Sequence, residues 1–358
     1  MSILLNDTTF RSQLYPFAET RSVADIRVGI LTIRQKWELV TKQQILTTSE
    51  LGHSRLTDES DNQVIPANLV PSQKWITDYM AGNATLESLT NDEEVTVINH
   101  PWDIFKLNDQ AIRQDFKLLT QGRGSQPIPE TVQVSKSTNI FIEEGAQLSF
   151  CTLNASTGPI YIGKNAEIME GTTIRGPFAL GDGSTIKMGT RIYGATSIGP
   201  NCVVGGEIKN VVMFAHSNKG HDGYLGDSVI GEWCNLGAGT SNSNLKNNAG
   251  DVKVWNEHEK GWTNAGSKCG LLMGDFSRAA INTSFNTGSV VGICANIFGS
   301  GFVPKHVPSF SWGTDEPGNY SFEKAMEHII NWKKLKKQSL SETEIQRLKH
   351  IFEAVSKD

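Results

Sequence analysis

The densest run of reactive residue types lies between Arg191 and Asn244. It holds Lys209, His216, Lys219, His221, Asp222, Tyr224, Asn235, Asn242 and Asn244. An imidazole accepts a proton near neutral pH, so a histidine in such company is a candidate general base. Lysine, arginine, tyrosine and asparagine are the donors that an anionic oxygen requires. Composition and spacing by themselves predict a polar cleft with a histidine in it. The run falls where an otherwise regular pattern breaks, a common place for a site beside a rigid scaffold.

That pattern is an aliphatic residue at every sixth position: Ile162, Ile168, Ile174, Leu180, Ile186, Ile192, Ile198 and Val204. A shorter run precedes it at Ile142 and Leu148. A third resumes as Tyr224, Ile230 and Leu236, and a fourth as Met273, Ala279, Phe285, Val291, Ile297 and Val303. Six is the period neither of a helix nor of an ordinary strand. It is the signature of a hexapeptide β-helix, in which each repeat supplies one short strand and one corner. Pairs such as Ile162-Gly163, Ile198-Gly199 and Ile230-Gly231 suit sharp corners. Three hexapeptides make a coil of ~18 residues, and coils stack ~4.8 Å apart, so polar residues about 18 apart line up on one outer wall. The period slips by two between Val204 and Tyr224. It stops over Lys246 to Leu272, which reads as an extruded hairpin or loop packed by Trp255 and Trp262.

The predicted fold is mainly β: a parallel β-helix over 131–305, behind a small α/β domain over 1–120 and a Gly/Ser/Pro-rich linker over 121–130. A loop and two helices over 306–358 complete it. The second helix opens with a capping box, Ser341-x-x-Glu344. Helices there are expected to cover the end of the coil, which otherwise presents unpaired strand edges. The net charge of −5 argues against a nucleic-acid surface. Long apolar stretches are absent, so no membrane span is expected, and Met1 to Phe10 lacks the pattern of a secretory signal. Five scattered cysteines without a CxxC pair read as reduced thiols of a cytoplasmic protein, with no metal site.

One stretch carries a specific resemblance. Gly220-His221-Asp-Gly-Tyr224-Leu-Gly-Asp227, Asn235-Leu-Gly-Ala238-Gly-Thr240 and Asn244 resemble the acetyltransferase domain of the bifunctional N-acetylglucosamine-1-phosphate uridyltransferase/glucosamine-1-phosphate acetyltransferase family. The resemblance implies a homotrimer of left-handed β-helices that moves acetyl from acetyl-CoA to the amine of an amino sugar phosphate such as glucosamine-1-phosphate. It implies His221 as catalytic base, Tyr224, Asn235 and Lys209 as sugar-phosphate ligands, and Asn244 at the sugar and acetyl end. Ala238 would turn its backbone N–H toward the acetyl group. The family's phosphate-binding arginine lies 18 residues before its lysine, the interval from Arg191 to Lys209. The slip near Gly205 instead puts Tyr193 in that place, with Arg175 one coil below, so Arg191 and Arg175 are alternatives. Leu245 stands where the family has a tyrosine. His216 belongs to no motif and reads as structural.

The first 120 residues resemble a divergent branch of sugar nucleotidyltransferases, through Leu14-Tyr-Pro-Phe-Ala-Glu-Thr-Arg21 and Asp25-Ile-Arg27 onward. The glycine-rich triphosphate loop of such enzymes is missing and the domain is short, so it reads as degenerate. The alternative is a working sugar-1-phosphate nucleotidyltransferase that uses Arg11, Arg21 and Lys36, requires Mg2+, and keeps the β-helix for trimerisation or regulation. A third reading is a non-enzymatic scaffold or sugar-nucleotide sensor.

Overall fold

The structure, a computed structural model, describes residues 2–51, 62–86, 95–314 and 318–356. Its body is a left-handed parallel β-helix of three walls. The first wall stacks Ile140–Ile142, Ile160–Ile162, Phe178–Leu180 and Thr196–Ile198 in register. The second stacks Gln147–Leu148, Glu167–Ile168, Thr185–Ile186 and Val203–Val204, and the third Thr152–Asn154, Thr173–Arg175 and Arg191–Tyr193. The sixth-position aliphatics from Ile162 to Val204 and from Met273 to Val303 all point inward into one buried column. Strands His306–Val307 and Ser311–Trp312 carry the coil past residue 305.

The slip is larger than the aliphatic period indicates, and it falls on two corners. Ile208 is the inward residue after Val204, and Leu225, not Tyr224, is the next on that wall. Gly205 and Gly206 turn their corner in fewer residues. A Cβ on either would crowd the backbone of the Gly220–Gly223 loop. Glu207–Met213 and Tyr224–Ile230 then run unbroken from the third wall into the first. Tyr224 is thereby turned outward.

The amino-terminal segment blankets the first wall. Its parallel sheet orders Leu46–Thr47, Ser2–Asn6 and Asn62–Pro66. Its core is continuous with outward side chains of the β-helix, including Val212, Phe214, Val229, Leu272 and Val290. Helix Asn108–Thr120 brings Ile112 against Phe141, Tyr161, Ala179 and Ala195 lower on the same wall. Strands Ile140–Ile142, Ile160–Ile162 and Phe178–Leu180 are therefore apolar at all three positions, as strands covered on both faces are. The segment 246–272 folds as a hairpin, Lys253–Asn256 against Gly261–Asn264. It packs Val252, Val254 and Cys269 into the core shared with the amino-terminal segment and does not project freely.

Helices Phe322–Leu335 and Glu342–Val355 do not close the end of the coil. They lie along the corner between the first and second walls, over Trp233, Phe276, Cys294 and Phe310. These residues, with Asn201 and His216 below them, occupy left-handed backbone at the same corner of successive coils. Glycine or asparagine is the usual occupant there. Here the side chains reach outward and form the apolar strip that the helices cover.

Candidate active site

His221 lies on the opposite side of the second wall, at the corner between Asn218–Lys219 and Tyr224–Ile230. Its side chain is exposed. The loop is wedged between coils. Gly205 and Gly206 lie against it from below, and a Cβ at Gly223 would strike Thr240 O above. Gly239 N–H donates to Asp222 O at 3.0 Å, which fixes the Ala238 turn one coil above the histidine. Among the described residues, the Ala238 N–H has no hydrogen-bond acceptor. Lys219 occupies an inward position of the column, almost fully buried, and its ammonium donates to His221 O at 2.8 Å. Burial pushes its pKa down to about 8, with Asp222 acting the other way.

The third wall carries most of the polar side chains singled out in the sequence. Lys209 is paired across the coils with Tyr193 below and Gly226 above. Its ammonium lies 5.8 Å from the Tyr193 ring centroid, and among the described residues it makes no hydrogen bond or ion pair. Tyr193 Oη donates to Glu207 Oε1 at 2.6 Å, and Arg191 Nε lies 3.9 Å from Glu207 Oε2. The register puts Tyr193, not Arg191, directly beneath Lys209. Arg191 stands beneath Glu207, and Arg175, exposed, is one coil lower on the Tyr193 column. Tyr224 folds its ring over Gly226, where a Cβ would collide with Oη. Burial, then the Asp227 carboxylate, raises the Tyr224 pKa, so its hydroxyl stays protonated. Asn244 reaches that hydroxyl and donates to buried Asp227, which also accepts from Asn210 Nδ2 at 2.9 Å. Asn210 and Asp227 both hold left-handed corner conformations.

The structure thus brings Lys209, Tyr224 and Asn244 onto one face, with His221 and Ala238 at its edge. Asn235 lies across that edge on the second wall, between Asn218 and Arg278. The three amino-terminal cations are each engaged by protein groups. Arg11 donates to Ala18 O and Glu19 O at 2.9 and 3.1 Å. Arg21 pairs with Asp275 and Glu232 of the β-helix. Burial opposes its charge, and the two carboxylates outweigh burial and raise its pKa. Lys36 is buried against Asp115. Burial draws the lysine down and the aspartate up, and their attraction offsets this in part. Sequence reasoning passed over Glu207 and the buried tether of Lys219. Six-residue counts forward from Val204 and back from Ile230 both step over position 219, so the period gave no signal for the second.

Residues 2–87 and 77–124 match the family described as sugar nucleotidyl transferase. The chain is 27% identical over 327 residues to the bifunctional protein GlmU of Methanocaldococcus jannaschii, covering 88% of this chain and 66% of that one. It is 31% identical over 212 residues to a bifunctional sugar-1-phosphate nucleotidylyltransferase/acetyltransferase of Sulfurisphaera tokodaii, covering 59% of this chain and 46% of that one. Among solved structures, the Francisella novicida UDP-N-acetylglucosamine acyltransferase aligns over 63% of this chain and 76% of that chain, at 15% identity and a TM-score of 0.32. The chain is similar to these bifunctional proteins, and it spans about two thirds of the length of the first and about half of the second.

Proposed function

We propose that the His221 corner transfers an acetyl group from acetyl-CoA to the amine of an amino sugar bearing an anomeric phosphate, such as glucosamine-1-phosphate. The observation that carries this reading is the placement of an exposed imidazole one coil beneath an unbonded backbone N–H, beside a wall with an unpaired lysine. His221 takes a proton from the amine as its lone pair attacks the thioester carbonyl carbon. The Ala238 N–H stabilises the oxyanion of the tetrahedral intermediate. The C–S bond then breaks, and the departing thiolate takes the proton from the imidazolium. Lys209 and Arg191 hold the anomeric phosphate. Tyr224, set by Asn244, and Asn235 from across the corner bind the sugar.

Acetyl-CoA fits the bare corner. Among the described residues no helix covers it, and Phe150, Met188 and Ile281 expose apolar side chains along the same edge of other coils. That apolar edge also supports a homotrimer, in which a neighbouring chain closes the cleft; light scattering at micromolar concentration should return three chains. Five buried, unpaired cysteines suit a cytoplasmic protein. No described helix is long and apolar enough to cross a membrane.

The match of residues 2–124 favours a second reading, nucleotidyl transfer. Arg11, Arg21 and Lys36 are already engaged by protein groups, which weighs against their holding a triphosphate. The test is thiol release from acetyl-CoA with a panel of amino sugar phosphates, beside pyrophosphate release from nucleoside triphosphates and sugar-1-phosphates. Thiol release with strong amine dependence is expected. Robust pyrophosphate release without thiol release would replace this reading with the second.

A further inference from the structure

The third wall below Lys209 holds more positive charge and more space than one anomeric phosphate occupies. Lys209 and Arg175 stand on one outward column, two coils apart, which is on the order of 10 Å. Tyr193 separates them. Arg191 has Glu207 nearby, whereas among the described residues Arg175 has no ion-pair partner. A groove of about 420 Å3 runs down this face past Asn154, Thr173, Arg175 and Tyr193. At the Gly194 corner it meets a larger cavity of about 760 Å3, and Arg175 and Gly194 line both. Gly194 has positive φ, and a Cβ there would strike Asn210. The far side of the larger cavity is built from outside the β-helix, by Phe105 and Lys106 of the amino-terminal segment and by Ser267 and Lys268 of the insert.

We propose that the acceptor is a nucleoside diphosphate amino sugar. The amino sugar lies at His221 and Tyr224, the diphosphate spans from Lys209 to Arg175, and the nucleoside passes Gly194 into the larger cavity beside Phe105. The path crosses a wall three residues wide, roughly 10 Å, and descends three coils from Tyr224 to Arg175. A sugar monophosphate ends at Lys209 and touches neither Arg175 nor the amino-terminal segment. The bonds made and broken are those of the acetyl transfer already described. The inference rests on that reading and adds the size of the phosphoryl substituent. It also gives the docked amino-terminal segment a binding task that needs no triphosphate chemistry.

The test compares UDP-glucosamine and GDP-glucosamine with glucosamine-1-phosphate as acceptors for the full chain, with thiol release as the readout. One of the two nucleotide sugars should show a kcat/KM at least ~10-fold above that of the monophosphate. Arg175→Ala should lower that value by roughly 10- to 100-fold, leave the monophosphate reaction within about 3-fold, and keep the melting temperature, since the side chain is exposed. A monophosphate that reacts as well as or better than both nucleotide sugars overturns the inference and leaves acetyl transfer standing. Equal losses on both acceptor types in Arg175→Ala overturn it as well. Absence of thiol release with all three defeats the acetyltransferase reading, and the inference with it.

Discussion

His216 and His221 are five residues apart and have opposite surroundings. His216 sits in left-handed backbone at the corner that the carboxy-terminal helices cover. Its ring stacks on Trp233 at 4.3 Å between centroids, its Nδ1 is buried without a partner, and Lys336 donates to its carbonyl at 2.9 Å. Burial, helped by Lys336 and Lys333, pushes its pKa down to about 4. His221 sits at the next corner, which no helix among the described residues reaches. It has an open face, a lysine holding its carbonyl from inside, and a free N–H one coil above. What covers a corner decides whether its histidine is packed away or left open to solvent.

The comparison can be sharpened on the wall beside His221. Lys209→Ala should raise KM for the phosphorylated acceptor by ~10-fold and nearly keep kcat, because charge pairing acts in ground and transition states alike. A fall in kcat at unchanged KM would move Lys209 from binding to chemistry.

Lys219 tests whether the reactive corner is held at a cost to stability. Its native pKa of about 8 lies below the ordinary value near 10.5, so the unfolded chain binds the extra proton between those limits. The burial penalty is full below about pH 8 and is relieved toward pH 10.5. Lys219→Met should therefore gain about 1–3 kcal/mol at neutral pH, with the gain shrinking by pH 10, while thiol release drops several-fold as the His221 carbonyl loses its donor. Denaturant melts at both pH values, beside rates, read this. A variant that is less stable and fully active would contradict it.

The smallest effect belongs to His216. Its native pKa lies below the ordinary value near 6.5, so it stays neutral in the fold while the unfolded chain takes up a proton. Stability should fall as pH drops from about 6.5 toward 4. His216→Phe keeps a ring against Trp233 and should lack this component, so its melting temperature should approach or pass that of the parent as pH falls. Parallel curves for the two proteins would show that His216 does not carry it.

Much of this was legible in the chain. The sixth-position aliphatics name the interior, and the Gly220–Asp227 motif names the loop that carries the exposed His221. Tyr224 was misplaced into the interior run because a six-residue count back from Ile230 cannot see that the Asp227 corner takes only five residues from Leu225. The docking of the amino-terminal segment was written in the all-apolar triplets Ile140-Phe-Ile142 and Ile160-Tyr-Ile162, which a wall open to water does not show. Arg21 drew attention as a free cation because its partner Asp275 lies 254 residues away. A linear reading finds charges but not the carboxylates that fold back onto them. The aromatic corner residues gave no signal for the same reason: their period shows only once the helices that cover them are in place.

The most direct test sets His221→Ala beside His216→Ala, each measured for thiol release per folded protein and for melting temperature. The account predicts a crossed pattern. His221→Ala should lose ~10²–10⁴-fold in rate and melt with the parent. His216→Ala should melt several degrees lower, having lost its stack on Trp233, and keep the parental rate. A His221→Ala protein with near-parental thiol release, or a His216→Ala protein that is folded and inactive, would contradict the assignment of the bare corner as the active site.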